Sequence, residues 1–254
     1  MILATWNVNS LKVRLPQVLD WLARQQPAVL CLQETKLEDH AFPVAEIAAA
    51  GYRAVWHGQK TYNGVAILCR DEAVDVLRAI PDFDDPQARL IAATVDGVRI
   101  VCGYFPNGQA VASDKYEYKL RWLAALRTYL ATEMSHHDRL ALLGDFNIAP
   151  EDRDVYDPVA WRDQILCSPK ERAAFADLLG LGFKDAFRLF EQTERSFSWW
   201  DYRMMAFRRN HGLRIDHILL SPGLASACRT CSIDREPRCL ERPSDHAPVI
   251  VELC

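Results

Sequence analysis

Residues 139–147 read RLALLGDFN: four apolar residues in a row, a glycine, then Asp145, Phe146 and Asn147. The run is too short for a helix, and residues 139–143 predict a buried strand that opens into polar residues at its end. The same form recurs along the chain. ILATW (2–6) ends in Asn7, AVLCLQ (28–33) in Glu34, and RIVCG (99–103) in Tyr104. Asp216 sits inside LRIDHILL, and Ser244-Asp245-His246 leads through Ala247 into PVIVEL. Helical patterns lie between these runs. Leu15, Val18, Leu19 and Leu22 form one stripe, residues 43–50 are helical, and a long helix spans about 115–134. Further strands are expected near 52–57, 64–70, 89–95, 98–104, 196–200, 214–221 and 248–253, with helices near 170–180 and 184–190. Asp96-Gly97 marks a hairpin between two of the strands. Hairpins mixed with crossover helices predict a mixed-sheet α/β layered fold, and no linker or low-complexity tract divides residues 1–254 into more than one domain.

The composition is that of an ordinary globular chain, 50% hydrophobic and 25% charged over 254 residues. A net charge of −4 means that a surface for nucleic acid must be a local patch. No apolar run approaches a membrane span, and the first residues, MILATWN, carry neither a basic segment nor a signal-peptide core, so a cytoplasmic protein is expected. The eight cysteines do not read as a disulfide framework. Cys31, Cys69 and Cys102 lie in apolar runs, while Cys228 and Cys231 form a CxxC with Cys239 following but no second CxxC to complete a zinc site.

Six strand-like segments thus bring eight polar residues to their edges: Asn7, Glu34, Tyr104, Asp145, Asn147, Asp216, Asp245 and His246. Any one of them could be a cap or a satisfied core group. Eight together imply a rim where loops meet and chemistry is done. Asp216 is the sharpest case, because an unpaired carboxylate in an apolar strand costs several kcal/mol; His246 is its natural partner. Asp, Glu and Asn oxygens suit a hard divalent cation, Mg²⁺ or Mn²⁺, better than zinc. Asp–His pairs handle protons, and neutral Tyr and Asn donors suit an oxyanion. These are the parts for metal-assisted hydrolysis of a phosphate ester. The absence of GxxxxGK[ST], GxSxG and HExxH disfavours nucleotide switches, serine hydrolases and zincins.

At these residues the chain resembles the exonuclease III family of the endonuclease/exonuclease/phosphatase superfamily. The resemblance runs through LATWNVNSL (3–11), LCLQETK (30–36), WHGQKTYNGVAIL (56–68), GYFPNG (103–108), LLGDFNIAP (142–150), FSWWDYR (197–203), GLRIDHILLS (212–221) and RPSDHAPV (242–249), in order over nearly the whole chain. It implies a four-layered α/β sandwich, two mixed sheets face to face with helices outside. It places Asn7, Glu34 and Asp245 at the metal, with Glu34 the principal ligand. It has Asp216 hold His246, Tyr104 and Asn147 contact the scissile phosphate, and Asp145 orient or deprotonate the attacking water or assist the leaving group. The division of labour between Asp145 and His246 stays open.

By the same resemblance the activities are removal of nucleotides from DNA 3′ ends, incision 5′ to abasic sites and trimming of blocked 3′ ends, with Mg²⁺ as cofactor, Mn²⁺ as substitute and double-stranded DNA as partner of a monomer. The superfamily also holds phospholipid and inositol-phosphate phosphodiesterases, so substrate class rests on other residues. Trp199 and Trp200 match the aromatic pair beside the abasic-sugar pocket, and an aromatic face packs against a sugar or base. Arg203, Arg208, Arg209 and Arg214 lie across 203–214 with no acidic residue, a local basic patch for phosphates. Leu213 falls where some relatives carry a tryptophan at that pocket, and residues 161–170 are a second place where duplex seating could diverge.

Overall fold

A computed structural model describes residues 1–254. The first half of the chain builds β1 (Ile2–Asn7), α1 (Leu11–Gln25), β2 (Val29–Gln33), α2 (Val44–Ala49), β3 (Arg53–His57), β4 (Val65–Cys69), β5 (Ala73–Arg78), β6 (Leu90–Val95) and β7 (Val98–Tyr104). The second half adds α3 (Asp114–His136), β8 (Leu140–Asp145), α4 (Pro169–Gly180), β9 (Lys184–Asp185), α5 (Ala206–Arg209), β10 (Asp216–Leu220), α6 (Pro222–Ala227), β11 (Cys228–Ile233) and β12 (Val249–Leu253). The strands form two six-stranded sheets, in the orders β11-β12-β1-β2-β4-β3 and β5-β6-β7-β8-β10-β9. Each order is the other's counterpart: a parallel pair joined by a helix (β1/β2 through α1, β7/β8 through α3), flanked on both sides by antiparallel strands.

Period-two alternation explains the layers. Leu3, Val29, Cys31, Val65 and Ile67 from the first sheet meet Ile100, Cys102, Ala141, Leu143 and Ile218 from the second in a buried core of 23 residues between the sheets. The intervening positions face outward. Ala4, Trp6, Leu30 and Leu32 pack against Val18, Trp21 and Leu22 of α1, while Val101, Leu140, Leu142 and Leu219 pack against Trp122, Leu126 and Leu130 of α3 and Phe175 and Leu178 of α4. Both faces of the central strands are therefore covered, which is why they read as unbroken apolar runs. The architecture is a four-layered α/β sandwich. No helix is long and apolar enough to cross a membrane.

Several expectations need correction. Residues 196–200 are not a strand. They form an extended strap that makes only isolated bridges to its neighbours: Trp199 and Leu213 exchange both backbone bonds, Trp200 N–H goes to the Asp245 carbonyl, and Ala247 N–H to the Ser198 carbonyl. Residues 184–190 hold the two-residue β9 and a 3-10 turn at Ala186–Leu189 instead of a helix. Two sheet-edge strands lacked an alternating signal. In β5 the register slips between Val74 and Leu77, around Asp75 at φ 52°, and β11 (CRTCSI) is largely exposed. Cys231 of β11 is buried, Cys228 half-buried and Cys239 exposed, and all three are free thiols.

Candidate active site

The same alternation that fills the inter-sheet core aims the polar residues. Positions 3, 5 and 7 of β1, 102 and 104 of β7, 141, 143 and 145 of β8, and 216, 218 and 220 of β10 share the inward phase. Asn7, Tyr104 and Asp145 are thus the last inward positions of their strands, and Asp216 is the first of β10. They converge at one rim of the sandwich because β1 and β8 end there while β10, antiparallel to β8, begins there, pairing Asp216 with Asp145 and Tyr104 with Asp145 in register. Glu34 follows Gln33 through a left-handed backbone turn at φ 52°, and Asn147 sits at φ 50° after Asp145. Both are uncommon conformations for side chains other than glycine.

Asn7 is fully buried and its side-chain amide donates to Glu34 Oε1 (2.9 Å) and Asp145 Oδ2 (2.8 Å). Asp145 Oδ1 accepts the Asn147 backbone N–H at 2.9 Å. His246 lies 2.9 Å from Asp216 through Nδ1 and 3.7 Å from Asp145 through Nε2. Ser198 fixes Asp216 from behind by accepting its backbone N–H at 3.0 Å. Asp245 accepts from Asn9 Nδ2 (2.9 Å) and Trp199 Nε1 (3.0 Å), one bond to each oxygen.

These contacts set the charges. Burial pushes the Asp145 carboxyl up to about 7, against the lowering effect of the His246 charge. Burial works the other way on His246, but Asp216 and Asp145 outweigh it and raise the imidazole to about 10. Burial, with Glu34 and Asp145 nearby, holds the Tyr104 phenol well above its ordinary value, so it is a neutral O–H donor. Burial alone would raise Asp245; the His246 charge and the bonds from Trp199 and Asn9 hold it below the usual carboxylate range. Around neutral pH the rim therefore carries an imidazolium beside a carboxyl group that titrates near neutrality, which is a proton acceptor and an anion-stabilising cation in one place.

Ligand atoms of Glu34, Asp145 and His246 lie within 4.8 Å of one another. The two carboxylate groups suit a hard divalent cation, and the His246 imidazole, held by Asp216, completes the group. Asn7 and Asp245, the other residues expected at the metal, carry bonds of their own, as Glu34 does with Asn7 and Lys36. Asn7 turns its NH₂ towards the carboxylates while its carbonyl oxygen accepts the Asn9 N–H at 3.0 Å, and both oxygens of Asp245 are engaged outside the three-residue group.

The aromatic pair divides. Trp199 keeps part of its surface, but Trp200 is fully buried, edge-on to Phe207 at 5.0 Å and bonded through Nε1 to Asn210. Trp200 is core beneath the 201–209 loop and presents no face to a substrate. Leu213 is also fully buried, in a small cluster with Val155, Leu166 and Ile215, against which Trp199 packs. Arg214 leaves the basic patch altogether: it is 1% exposed and bound to Asp154 (2.6 Å), Asp185 (2.8 Å) and His217 (3.0 Å). Arg203 is exposed but paired with Asp201 at 2.9 Å. Arg208 and Arg209 remain exposed and without an acidic partner.

The structure adds residues that the sequence reading missed. Lys36 bridges Glu34 Oε2 (2.7 Å) and Asn9 Oδ1 (2.5 Å). Its position two residues after Glu34, at the end of a strand, was a usable signal. Asn107 donates to Asn147 Oδ1 at 2.9 Å, and with Tyr104, Arg89 and the exposed Tyr62 it lines a trench of about 710 Å³ leading away from the rim. Met204 and Met205, consecutive residues at φ 57° and 52°, are 77% and 62% exposed beside Tyr202, whose hydroxyl accepts from Arg14 at 3.1 Å and Asn9 at 3.3 Å. The apolar surface next to the site is this strained tip, not Trp200.

Residues 4–246 match the family described as "Endonuclease/Exonuclease/phosphatase family". Exodeoxyribonuclease III of Haemophilus influenzae is 38% identical over 261 residues, covering 98% of each chain. Among solved structures, the 3′ phosphatase NExo from Neisseria, bound to a product DNA hairpin, superposes with a TM-score of 0.99 at 51% identity, covering 100% of this chain and 99% of the other. An AP endonuclease from Archaeoglobus fulgidus gives a TM-score of 0.96 at 38% identity, with the same coverage.

Proposed function

Because this chain belongs to the endonuclease/exonuclease/phosphatase family, we propose that it is a DNA-repair phosphodiesterase of exonuclease III type, acting at 3′ ends of duplex DNA, 5′ to abasic sites, or at both. The observation that carries the reading is the His246–Asp145 contact, 3.7 Å between buried groups with opposite tendencies, with Glu34 alongside. Residues 1–254 act as one domain, in keeping with the core shared between the two sheets, and as a cytoplasmic monomer. None of the relatives supports a phospholipid or inositol-phosphate substrate.

In this reading Glu34 would hold Mg²⁺, or Mn²⁺ in its place, and the bound cation would neutralise charge on the phosphate. Asp145, poised near 7, takes the proton of the attacking water, oriented by the Asn147 N–H and the Asn7 amide. As the P–O bond to the leaving 3′ oxygen breaks and that oxygen takes a proton from solvent, the His246 imidazolium, fixed by Asp216, faces the developing negative charge, with the Tyr104 hydroxyl and Asn147 as further contacts to the phosphate. Asp245 holds Asn9 and Trp199 at the edge of this site. Arg208 and Arg209, with Arg203 at their flank, meet the DNA backbone, and Trp199 with the Met204–Met205 tip supplies apolar contact beside it.

The test is a gel assay of equal enzyme on a 3′-phosphate end, an undamaged recessed 3′ end and an internal abasic analogue, with Mg²⁺ or with EDTA. Cleavage in Mg²⁺ that disappears in EDTA and falls by several orders of magnitude in Glu34→Gln is expected. Undiminished activity in EDTA would sink the metal assignment, and inertness on all three DNAs would sink the function.

A further inference from the structure

Lys119 and Glu171 are both 0% exposed and lie outside the catalytic rim, 2.5 Å apart between α3 and the first turn of α4. A lysine ammonium has three donors, and here all three are used: on Glu171 Oε1, on the Asn147 carbonyl at 2.7 Å and on the Asn107 carbonyl at 3.2 Å. Glu171 is equally saturated. Its Oε1 also accepts the Leu166 N–H (3.1 Å), and its Oε2 accepts the Ser168 N–H (3.0 Å) and hydroxyl (2.6 Å). One ion pair thus ties three loops together: those carrying Asn107 and Asn147, and the 165–168 segment.

Such a pair is a poor device for stability, because apolar residues of similar volume usually serve as well or better. Its geometry serves a different purpose. Asn147 holds an uncommon backbone conformation at φ 50°; its side chain is clamped by Asn107 (2.9 Å) and the Phe105 carbonyl (3.1 Å), and its N–H orients Asp145 (2.9 Å). The one remaining polar group of that residue, the carbonyl, is the one Lys119 takes.

We propose that Lys119, charge-balanced by Glu171, is a positioning residue for the hydrolysis: by fixing the Asn107 and Asn147 carbonyls it aims Asn147 at the phosphate and holds Asp145 in register with the attacking water. The proposal rests on the phosphodiesterase reading above. It places the control of catalytic geometry in a buried contact that touches neither substrate nor metal. It also couples that geometry to the 165–168 segment, so rearrangement of that loop reaches Asn147 through Glu171 and Lys119.

The test is the double variant Lys119→Met with Glu171→Gln, which removes both charges and leaves neither unpaired. Melting temperature, kcat and KM on a recessed 3′ duplex, and the ¹⁵N side-chain amide resonances of Asn107 and Asn147 are read together. The expected result is a melting temperature within a few degrees of wild type, KM within about threefold, kcat down by about 10²-fold, and displaced amide resonances. Lys119→Arg keeps the charge opposite Glu171 but cannot place three donors at the same points, and it serves if the double variant does not fold. It is expected to lose at least tenfold in kcat. Wild-type kcat in either variant, or a loss that disappears when the assay temperature is lowered in step with the melting temperature, overturns the proposal. Wild-type enzyme inert on every DNA would instead refute the phosphodiesterase reading, so the two failures are distinct.

Discussion

Replacing Asp216 by Asn exchanges one oxygen for an NH₂ group at a residue 1% exposed and 2.9 Å from His246 Nδ1. Shape is preserved, but the negative charge that holds the imidazolium is gone. Removing one partner of a buried ion pair costs about 3–5 kcal/mol. Because Asp145 remains 3.7 Å away and carries part of the compensation, the lower end, about 3 kcal/mol, is expected. For a chain of this length that is a fall of about 6–12 °C in melting temperature. The pH dependence fixes the cause. His246 is raised from 6.5 to about 10, so the stability it contributes is fully present below pH 6.5 and is lost as pH rises through about 10. Urea unfolding of wild type and Asp216→Asn at pH 6, 8 and above 10 should therefore show a gap that is largest at pH 6 and nearly closed at the top. A gap of constant size, or one that widens with pH, would refute the charge-pair account of His246.

The rate should rise with pH through about 7 as Asp145 ionises and fall again near 10 as His246 loses its proton, a bell measured as kcat/KM; an ascending limb that survives in Asp145→Asn would show that another group is the base. Trp200→Ala should cost about 3–5 kcal/mol of stability by thermal melting, with 3′-end and abasic-site activities falling in parallel; selective loss of one activity would return Trp200 to the substrate. Replacing Arg208 and Arg209 with Ala should reduce the slope of log affinity against log salt by about 1.8, and an unchanged slope would move the phosphate contacts elsewhere.

What was legible in the sequence was what strand phase and chain position record. Asp216 announced its need for a partner by sitting in an apolar run, and Asn7, Tyr104 and Asp145 each close a run in the inward phase. What was not legible depends on distant partners. Arg214 looks like one of four clustered cations, yet Asp154, 60 residues earlier, and Asp185 take its charge into the core. Tryptophan satisfies a substrate wall and a core equally, so only the tertiary fold separates Trp199 from Trp200. Lys119 was visible in principle: with Tyr116, Trp122, Leu123 and Leu126 it lies on the buried stripe of α3, where an amphipathic helix expects an apolar residue. The edge strands β5 and β11 left no such trace, since exposed edges obey weak patterning.

The rim bonds belong to two sheets at once. Asn7 comes from the first sheet and Asp145 from the second; Asp216 opens β10 of the second and His246 leads into β12 of the first. The contacts that prepare the reaction are therefore also the clasp that closes the sandwich at that end. Truncating Asp145, Asp216 or His246 to Ala would open the clasp as well as silence the chemistry, and a dead enzyme obtained that way would be a poor trap for DNA. Asparagine in place of Asp145 or Asp216, which keeps the shape and one hydrogen bond across the seam, is the replacement from which a bound complex can be expected to report the geometry of the intact enzyme.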